Sequence, residues 1–482
     1  MSSSLNKVEF TRCMITPNDK KAYLKKQQEL LKKEENNTNK GDLEEKKNET
    51  EFPDLAKQNL ITSIDYFEDL LSPSVTCYLQ ISDTTNILSR LPIRGYERVD
   101  LEVAVSESQT FKFNEDNTPL FVTSIENVQR TESQETFVMA LSTVGNLRNE
   151  ISRCTKKYER ANVRAHVESI LKEQLKIDEG RIHIDNTSTQ YTFFGCNKKP
   201  FFVITSLAPK TQPIKEGDVN GTSGFVFYED HLGYHFKSVD SMLEKADEEV
   251  RYLNDPSNLD KPPRVPEMTY TTAIDRAESP ENQYKILDHF LDKTVNIQKN
   301  LRVGLYSNLT TTIDPLSWEV KSTTFRLKDN VNDENGMKTS GPEVPIPVSD
   351  VFDGEPSRRL VRMLDSGMID KKLEKDEDGK ATTSGRDPED MAKAFSRYSL
   401  LFQQSLNITI PCNIDMRVGG VVKVVLPGVG PSEQGDGGKE QKEADPELSG
   451  IYLIRAVRHH FELGEGRNVT SLNLIRDSYG VN

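Results

Sequence analysis

The sequence predicts an α+β, mainly β protein: two antiparallel β-barrel-like blocks, a mixed α/β block between them, and long polar insertions. Apolar and polar residues alternate with a period of two in both the N-terminal and the C-terminal part of the chain. Between these parts, apolar residues recur at helical spacings. Three hydrophilic stretches interrupt the pattern, and the first of them carries few large apolar side chains.

Residues 8–16 (VEFTRCMIT) read as the first strand. From Asp19 to Gln58 the chain becomes rich in Lys, Glu and Asn, and too few apolar groups remain to offset the entropy of ordering it within a core. Strand character resumes at Ile61. Val75, Cys77, Leu79 and Ile81 alternate with Thr76, Tyr78, Gln80 and Ser82, and Val99, Leu101, Val103 and Val105 repeat the period. VTSIENVQR and ETFVMALST supply two further strands of the first barrel-like block.

Val163, Val167, Ile170, Leu171 and Leu175 form the stripe of an amphipathic helix that ends near Gly180. Residues 191–207, with YTFFG and PFFVITSL, read as strands, and GFVFYEDHLGYHF reads as a hairpin turning at Asp230–Gly233. Val239, Met242, Leu243, Ala246 and Val250 predict a helix. RVGLYSNLTTTID and SWEVKSTTFRL read as strands, and residues 329–386 as a second polar insertion. Asp387-Pro388 opens a helix whose apolar stripe is Met391, Phe395, Tyr398 and Phe402. LNITIPCN, GGVVKVVLPG, GIYLIRAVRHHFE and NVTSLNLIRD are the closing strands, interrupted by a third hydrophilic loop at 428–448. The expected domains are therefore 1–145 (first barrel, with the 19–58 insertion), 146–300 (mixed α/β) and 301–482 (second barrel, with insertions at 329–386 and 428–448).

At 482 residues the chain has the length of about three domains. Its 62 Lys and Arg against 76 Asp and Glu give a formal charge of -14. That balance opposes sequence-independent nucleic-acid binding, which depends on releasing counterions from phosphates. No apolar run reaches the roughly 20 residues that span a bilayer, and the first residues lack the apolar core of a signal peptide, so a protein made and kept in the cytoplasm is expected, without membrane insertion. Cys13, Cys77, Cys154, Cys196 and Cys412 are scattered and include no C-x-x-C pair, which predicts free thiols.

Motifs for chemistry are weak. His231 and His235 have the i, i+4 spacing of metal ligands on a helix, but they fall in a hairpin. His459 and His460 are adjacent in a strand and point to opposite faces. Glu374, Asp376 and Asp378 suggest part of a calcium loop, yet Gly385 occupies the position that needs a bidentate carboxylate. In GDGGK (435–439) Glu440 replaces the Ser or Thr of a phosphate loop. No nucleophile elbow appears, so no catalytic, cofactor-binding or metal residue is assigned, and no enzyme activity is expected.

Three segments carry a resemblance, in order. EDLLSPSVTCYLQISDTTNILSRLPIRGYERVDLEV holds Pro73, Asp83, Leu91, Pro92, Ile93, Gly95, Glu97 and Val99 in matching places. GFVFYEDHLGYHFKSVDSML contributes Phe225, Phe227, Glu229, Gly233, Tyr234, Phe236 and Ser238. LSGIYLIRAVRHHFELGEGRNVTSLNLIRDSYG contributes Ser449, Gly450, Tyr452, Ile454, His459, Phe461, Thr470, Leu472 and Arg476. Together they resemble the baseplate hub proteins of contractile-tailed bacteriophages.

That resemblance implies two tail-tube-like barrels per chain and a homotrimer whose six similar units form a pseudo-hexameric ring. Such a ring joins a six-fold tail tube to a three-fold central spike, in a virion's tail baseplate assembled in the host cytoplasm. Its implied partners are the central spike protein, the tail tube protein, and other baseplate and tape measure proteins; DNA transits the channel without specific binding. Competing readings are the hub part of a phage-like injection or type VI spike complex, and a tail-associated peptidoglycan hydrolase. A chain ending at Asn482 without a spike domain is expected to favour the phage hub.

Overall fold

The computed structural model describes residues 8–18, 52–91, 93–105, 110–115, 117–214, 222–243, 266–270, 283–293, 296–313, 318, 320–331, 337–346, 355–363, 372–375, 381–384, 387–430, 433–434, 440–441, 444–463 and 468–480. The molecule is mainly β, as the alternation predicts. The first block contains β1 (Glu9–Thr16), β2 (Ile61–Asp69), β3 (Thr76–Asp83), β4 (Arg98–Ala104), β5 (Thr110–Phe113), β6 (Leu120–Arg130) and β7 (Glu135–Thr143). Its strands lie in the order β1-β4-β6-β7-β3-β2, all antiparallel, with β5 beside β4. The path returns to its start because Ile15 N–H donates to Pro53 O (3.3 Å) and Leu55 N–H to Cys13 O (2.8 Å), just ahead of β2. Ile64, Tyr66, Cys77, Leu79, Ile81, Val99, Leu101 and Val103 fill the interior, each contributing on the order of 1.5–3 kcal/mol if large and fully buried.

The closing contact corrects one expectation. Residues 19–51 of the charged insertion lie outside the described residues, but its last part belongs to the ring: Leu55 and Ala56 are buried. Asp54 Oδ1 accepts the N–H groups of Cys13 (2.9 Å) and Ala56 (3.1 Å). Composition over the whole window hid a short apolar closure at its end.

The mixed block contains β8 (Lys157–Asn162), β9 (Ile182–Ile184), β10 (Gln190–Phe194), β11 (Phe225–Asp230) and β12 (Gly233–Ser238). The expected amphipathic helix runs over Val163–Ser169 and continues as a π-helical turn through Gln174. Asn162 caps it, its side-chain oxygen accepting Ala165 N–H at 2.9 Å. PFFVITSL, read above as a strand, is instead the helix Pro200–Leu207. Six of its eight residues are apolar and its only polar ones, Thr205 and Ser206, sit together near the end, so periodicity does not separate strand from helix. Pro200 presets the first turn, and Asn149 Oδ1 accepts the otherwise unpaired Phe201 N–H (2.9 Å).

The last part contains β13 (Glu267–Tyr270), β14 (Lys285–Ile286), β15 (Asp288–Lys293), β16 (Ser307–Ile313), β17 (Val320–Arg326), β18 (Arg358–Met363), β19 (Lys372–Lys375), β20 (Ala381–Ser384), β21 (Gln404–Pro411), β22 (Val421–Val425), β23 (Glu433–Gln434), β24 (Glu440–Gln441), β25 (Gly450–Glu462) and β26 (Val469–Arg476). A second ring follows the order β13-β22-β25-β26-β21-β15, and β14, which leads into β15, pairs with β13 to complete it. This ring starts at Glu267, ahead of the boundary at 300 read from the sequence, because β13 and β14 are too short to show alternation. Between β15 and β21 the chain inserts a separate sheet, β17-β16-β18, which packs on the helix Asp387–Leu400. β18 lies within 329–386, so that stretch is not wholly a polar insertion: RRLVRM pairs in parallel with β16.

Numbered along the chain, with β5 left out and β14 counted with β15 as one strand, both rings have the same order, 1-4-5-6-3-2. They join where β2 pairs antiparallel with the second half of β25, Ser63 opposite Glu462 through Asp69 opposite Ala456. All five cysteines are free, and no helix among the described residues is long and apolar enough to cross a membrane.

Removing residues 20–49 is expected to change the unfolding free energy by less than about 1 kcal/mol, since the ring closes without them. Leu55→Ala should cost about 3 kcal/mol. Urea unfolding followed by circular dichroism measures both; a large loss from the deletion alone would place the closure elsewhere.

Candidate functional site

The rings meet the mixed block around the tip of the β11–β12 hairpin. His231 and Leu232 form its two-residue turn, and Gly233 follows at φ +146°. A Cβ on Gly233 would overlap the Arg181 carbonyl, so glycine permits the parallel pairing of β12 with β9. The tip lands on Glu68 of β2, a buried carboxylate. Glu68 accepts Tyr66 O–H (3.0 Å) and His231 N–H (3.1 Å) on one oxygen, and Val418 N–H (3.1 Å) on the other. One side chain thus holds the first ring, the mixed block and the second ring.

Glu229, fully buried, ties the same hairpin to the first ring by accepting Val75 N–H (3.2 Å) and Thr143 O–H (2.9 Å). Burial pushes its carboxyl up to about 7, against the opposing pull of the Arg181 guanidinium and the hydrogen bonds. A second cluster centres on Arg397 of the Asp387–Leu400 helix. Its guanidinium, wholly buried, meets Asp240 of the mixed block (3.0 Å), Asp477 (2.8 Å) and the Lys338 carbonyl (2.7 Å). Burial opposes ionisation of Asp477, but Arg397 and the bonds from Ser340 and Ser478 outweigh it and hold the carboxyl below its ordinary range.

The histidines noted in the sequence do not converge. His231 is in the turn, whereas His235 lies across from Tyr228, 2.8 Å from Asp230 and stacked on His183. His459 is buried beside Tyr66, and burial, with the charge of His231 behind it, lowers its pKa to about 3. His460 reaches Asp65 on the other face (2.8 Å). Among the described residues no group of three or more His, Cys, Asp and Glu side chains could hold a metal ion. Side chains of Glu374, Asp376, Asp378, Gly385 and residues 435–440 lie outside those described. Glu68 and Arg397 gave no signal in the sequence, where each resembles any other charged residue.

Joining the rings also makes one continuous sheet face. Across it runs an unbroken row of cross-strand neighbours, Thr76–Phe67–Arg458–Ser471–Thr409–Asp288, over β3, β2, β25, β26, β21 and β15. A trough of about 480 Å³ lies over the last five of these strands. The face is slightly acidic: Asp65, Asp69, Asp288 and Asp292 stand on it beside the exposed ring of Phe290, and Arg458 and Arg455 are engaged by Asp65 (2.8 Å) and Asp69 (3.4 Å). Five of its strands, β2, β3, β21, β25 and β26, contain no lysine.

No protein-family model matches the sequence, and no curated protein does. Solved structures align with most of the chain at low identity. A tail protein from Neisseria meningitidis MC58 is 10% identical with a TM-score of 0.49, over 87% of this chain and 93% of that one. The 43 kDa tail protein of prophage MuSo2 from Shewanella oneidensis is 9% identical with a TM-score of 0.43, over 86% and 94%. An Escherichia coli component of the type VI secretion system, described as structurally similar to the T4 tail proteins gp27 and gp5, is 12% identical with a TM-score of 0.39, over 87% and 75%.

The raised carboxyl of Glu229 fixes a sign. The folded state binds its proton more tightly than the unfolded state, so its contribution is full below about pH 4.5 and is lost as pH rises through about 7. Glu229→Gln removes that loss. The stability of the variant relative to wild type should climb by about 3 kcal/mol between pH 4.5 and 7 and then level off. Urea titrations at several pH values read the difference; a flat profile would mean that Glu229 ionises as an exposed carboxyl does.

Proposed function

We propose that this chain is a structural, non-enzymatic baseplate hub of a contractile tail. Three copies form a pseudo-hexameric ring that links the tail tube to the central spike and leaves a passage for DNA. The observation that carries this reading is the common 1-4-5-6-3-2 strand order of the two rings. Two like units per chain and three chains give six, the number that lets a six-fold tube meet a three-fold spike through closed heterologous contacts. The sequence resemblance to phage hubs points the same way. On this reading the chain resides in the virion's tail baseplate after assembly in the host cytoplasm, beside tape measure and other baseplate proteins.

The face shared by the two rings suits the wall of the passage. Lysines there would neutralise phosphates and release counterions at every step, holding the polyanion back. A wall with carboxylates and engaged arginines does not.

Two measurements test the proposal. Sedimentation with tube and spike partners should give a species of three chains of 54.6 kDa each, and a chain that stays monomeric with every partner present overturns it. The assembled ring should not retain short duplex DNA, whereas Asn407→Lys with Ser471→Lys on the shared face should create retention that weakens steeply with salt. Tight, salt-sensitive binding by the wild-type ring would contradict a passive wall.

A further inference from the structure

Two of the strands that keep an open edge among the described residues are short and alike in length. Among the described residues β15 pairs only with β21, and β18 only with β16. Both are six residues long, and their outward faces are complementary. β15 presents Asp288, Phe290 and Asp292, with Phe290 67% exposed. β18 presents Arg359, Val361 and Met363, with Val361 68% and Met363 80% exposed. One strand offers an aromatic ring between two carboxylates, the other an aliphatic side chain between a guanidinium and a thioether.

We propose that β18 of one copy adds to the open edge of β15 in a second copy, continuing the shared face from one subunit to the next. The proposal rests on the ring reading above and names the contact that closes it. Unpaired edges with exposed apolar side chains promote uncontrolled association unless covered. Here the cover has the right length, opposite charge and matching apolar centre, and it belongs to the same chain. Val361 falls opposite Phe290 in either strand sense. An antiparallel pairing then sets Arg359 against Asp292, and a parallel pairing sets it against Asp288. The contact joins two different surfaces, so it is heterologous and can close a ring.

Cross-linking tests it in the full chain, with the exposed Cys196 changed to Ser. Phe290→Cys and Val361→Cys proteins, prepared apart, mixed and oxidised, should give a covalent dimer. Cα atoms of facing residues lie about 4.5–5.5 Å apart, within disulfide reach. A chain carrying both cysteines should give a ladder that ends at three copies. Independently, Arg359→Glu should weaken association at least tenfold, and Asp292→Lys or Asp288→Lys, according to strand sense, should restore it. Thermal melts matching the parent confirm that the variants fold. If wild type forms trimers but neither the cross-link nor the charge effect appears, the edge pairing is wrong and the ring stands. If wild type never forms trimers with its partners, the ring reading itself fails.

Discussion

Glu68 accepts hydrogen bonds from three separate parts of the chain, and the arrangement of the molecule depends on it. An ionised carboxylate costs several kcal/mol to bury unless donors replace its water. Its donors are Tyr66 on its own strand, His231 at a hairpin tip and Val418 on the approach to β22. Moving any block by an ångström strands the carboxylate or leaves a buried N–H unpaired, and each such loss costs about 1–3 kcal/mol. Arg397 imposes the same condition from the other side through Asp240 and Asp477. The rings are apolar inside but are joined to the mixed block by polar contacts of fixed geometry, which orient where apolar packing alone would tolerate sliding.

β25 makes the two rings one body. Its first residues pair with β22, its later ones with β2, and β26 lies along its other side. Thirteen residues therefore serve both barrels, and the row from Thr76 to Asp288 crosses from one to the other without a gap. A face of that length comes from neither ring alone. The formal charge of -14 does not locate any carboxylate; the strand register does, by bringing Asp65, Asp69, Asp288 and Asp292 to the same side.

Much of this was legible in the sequence because it depends on period. Val75–Ile81, Val99–Val105 and the strands β21, β22, β25 and β26 each have one apolar face, and each lies in a ring. The readings that failed did so where period is uninformative. PFFVITSL has only Thr205 and Ser206 to set its phase. β13 and β14 are too short to alternate, and RRLVRM hides its strand among arginines. The ring closure at Leu55 sat inside a window whose mean composition was polar. Glu68, Glu229 and Arg397 acquire their roles only from residues up to 350 positions away in sequence, a separation that local pattern does not reach.

The rings differ in one respect, and the difference shows which part of the design is fixed. Strands two to six are antiparallel to their neighbours in both, but β1 runs antiparallel to β4 whereas β13 runs parallel to β22. Five antiparallel strands leave two open edges, and a closing strand in either sense can satisfy the exposed N–H and C=O groups. The closures are slight: two backbone bonds beside β1, and two residue pairs between β13 and β14. The order of the inner five is constrained by packing around a shared apolar core, and the sixth needs only to cover an edge. The long excursions in the chain follow that division. In the sequence the 19–58 insertion follows one closing strand and the mixed block precedes the other, where a change of path costs the core least.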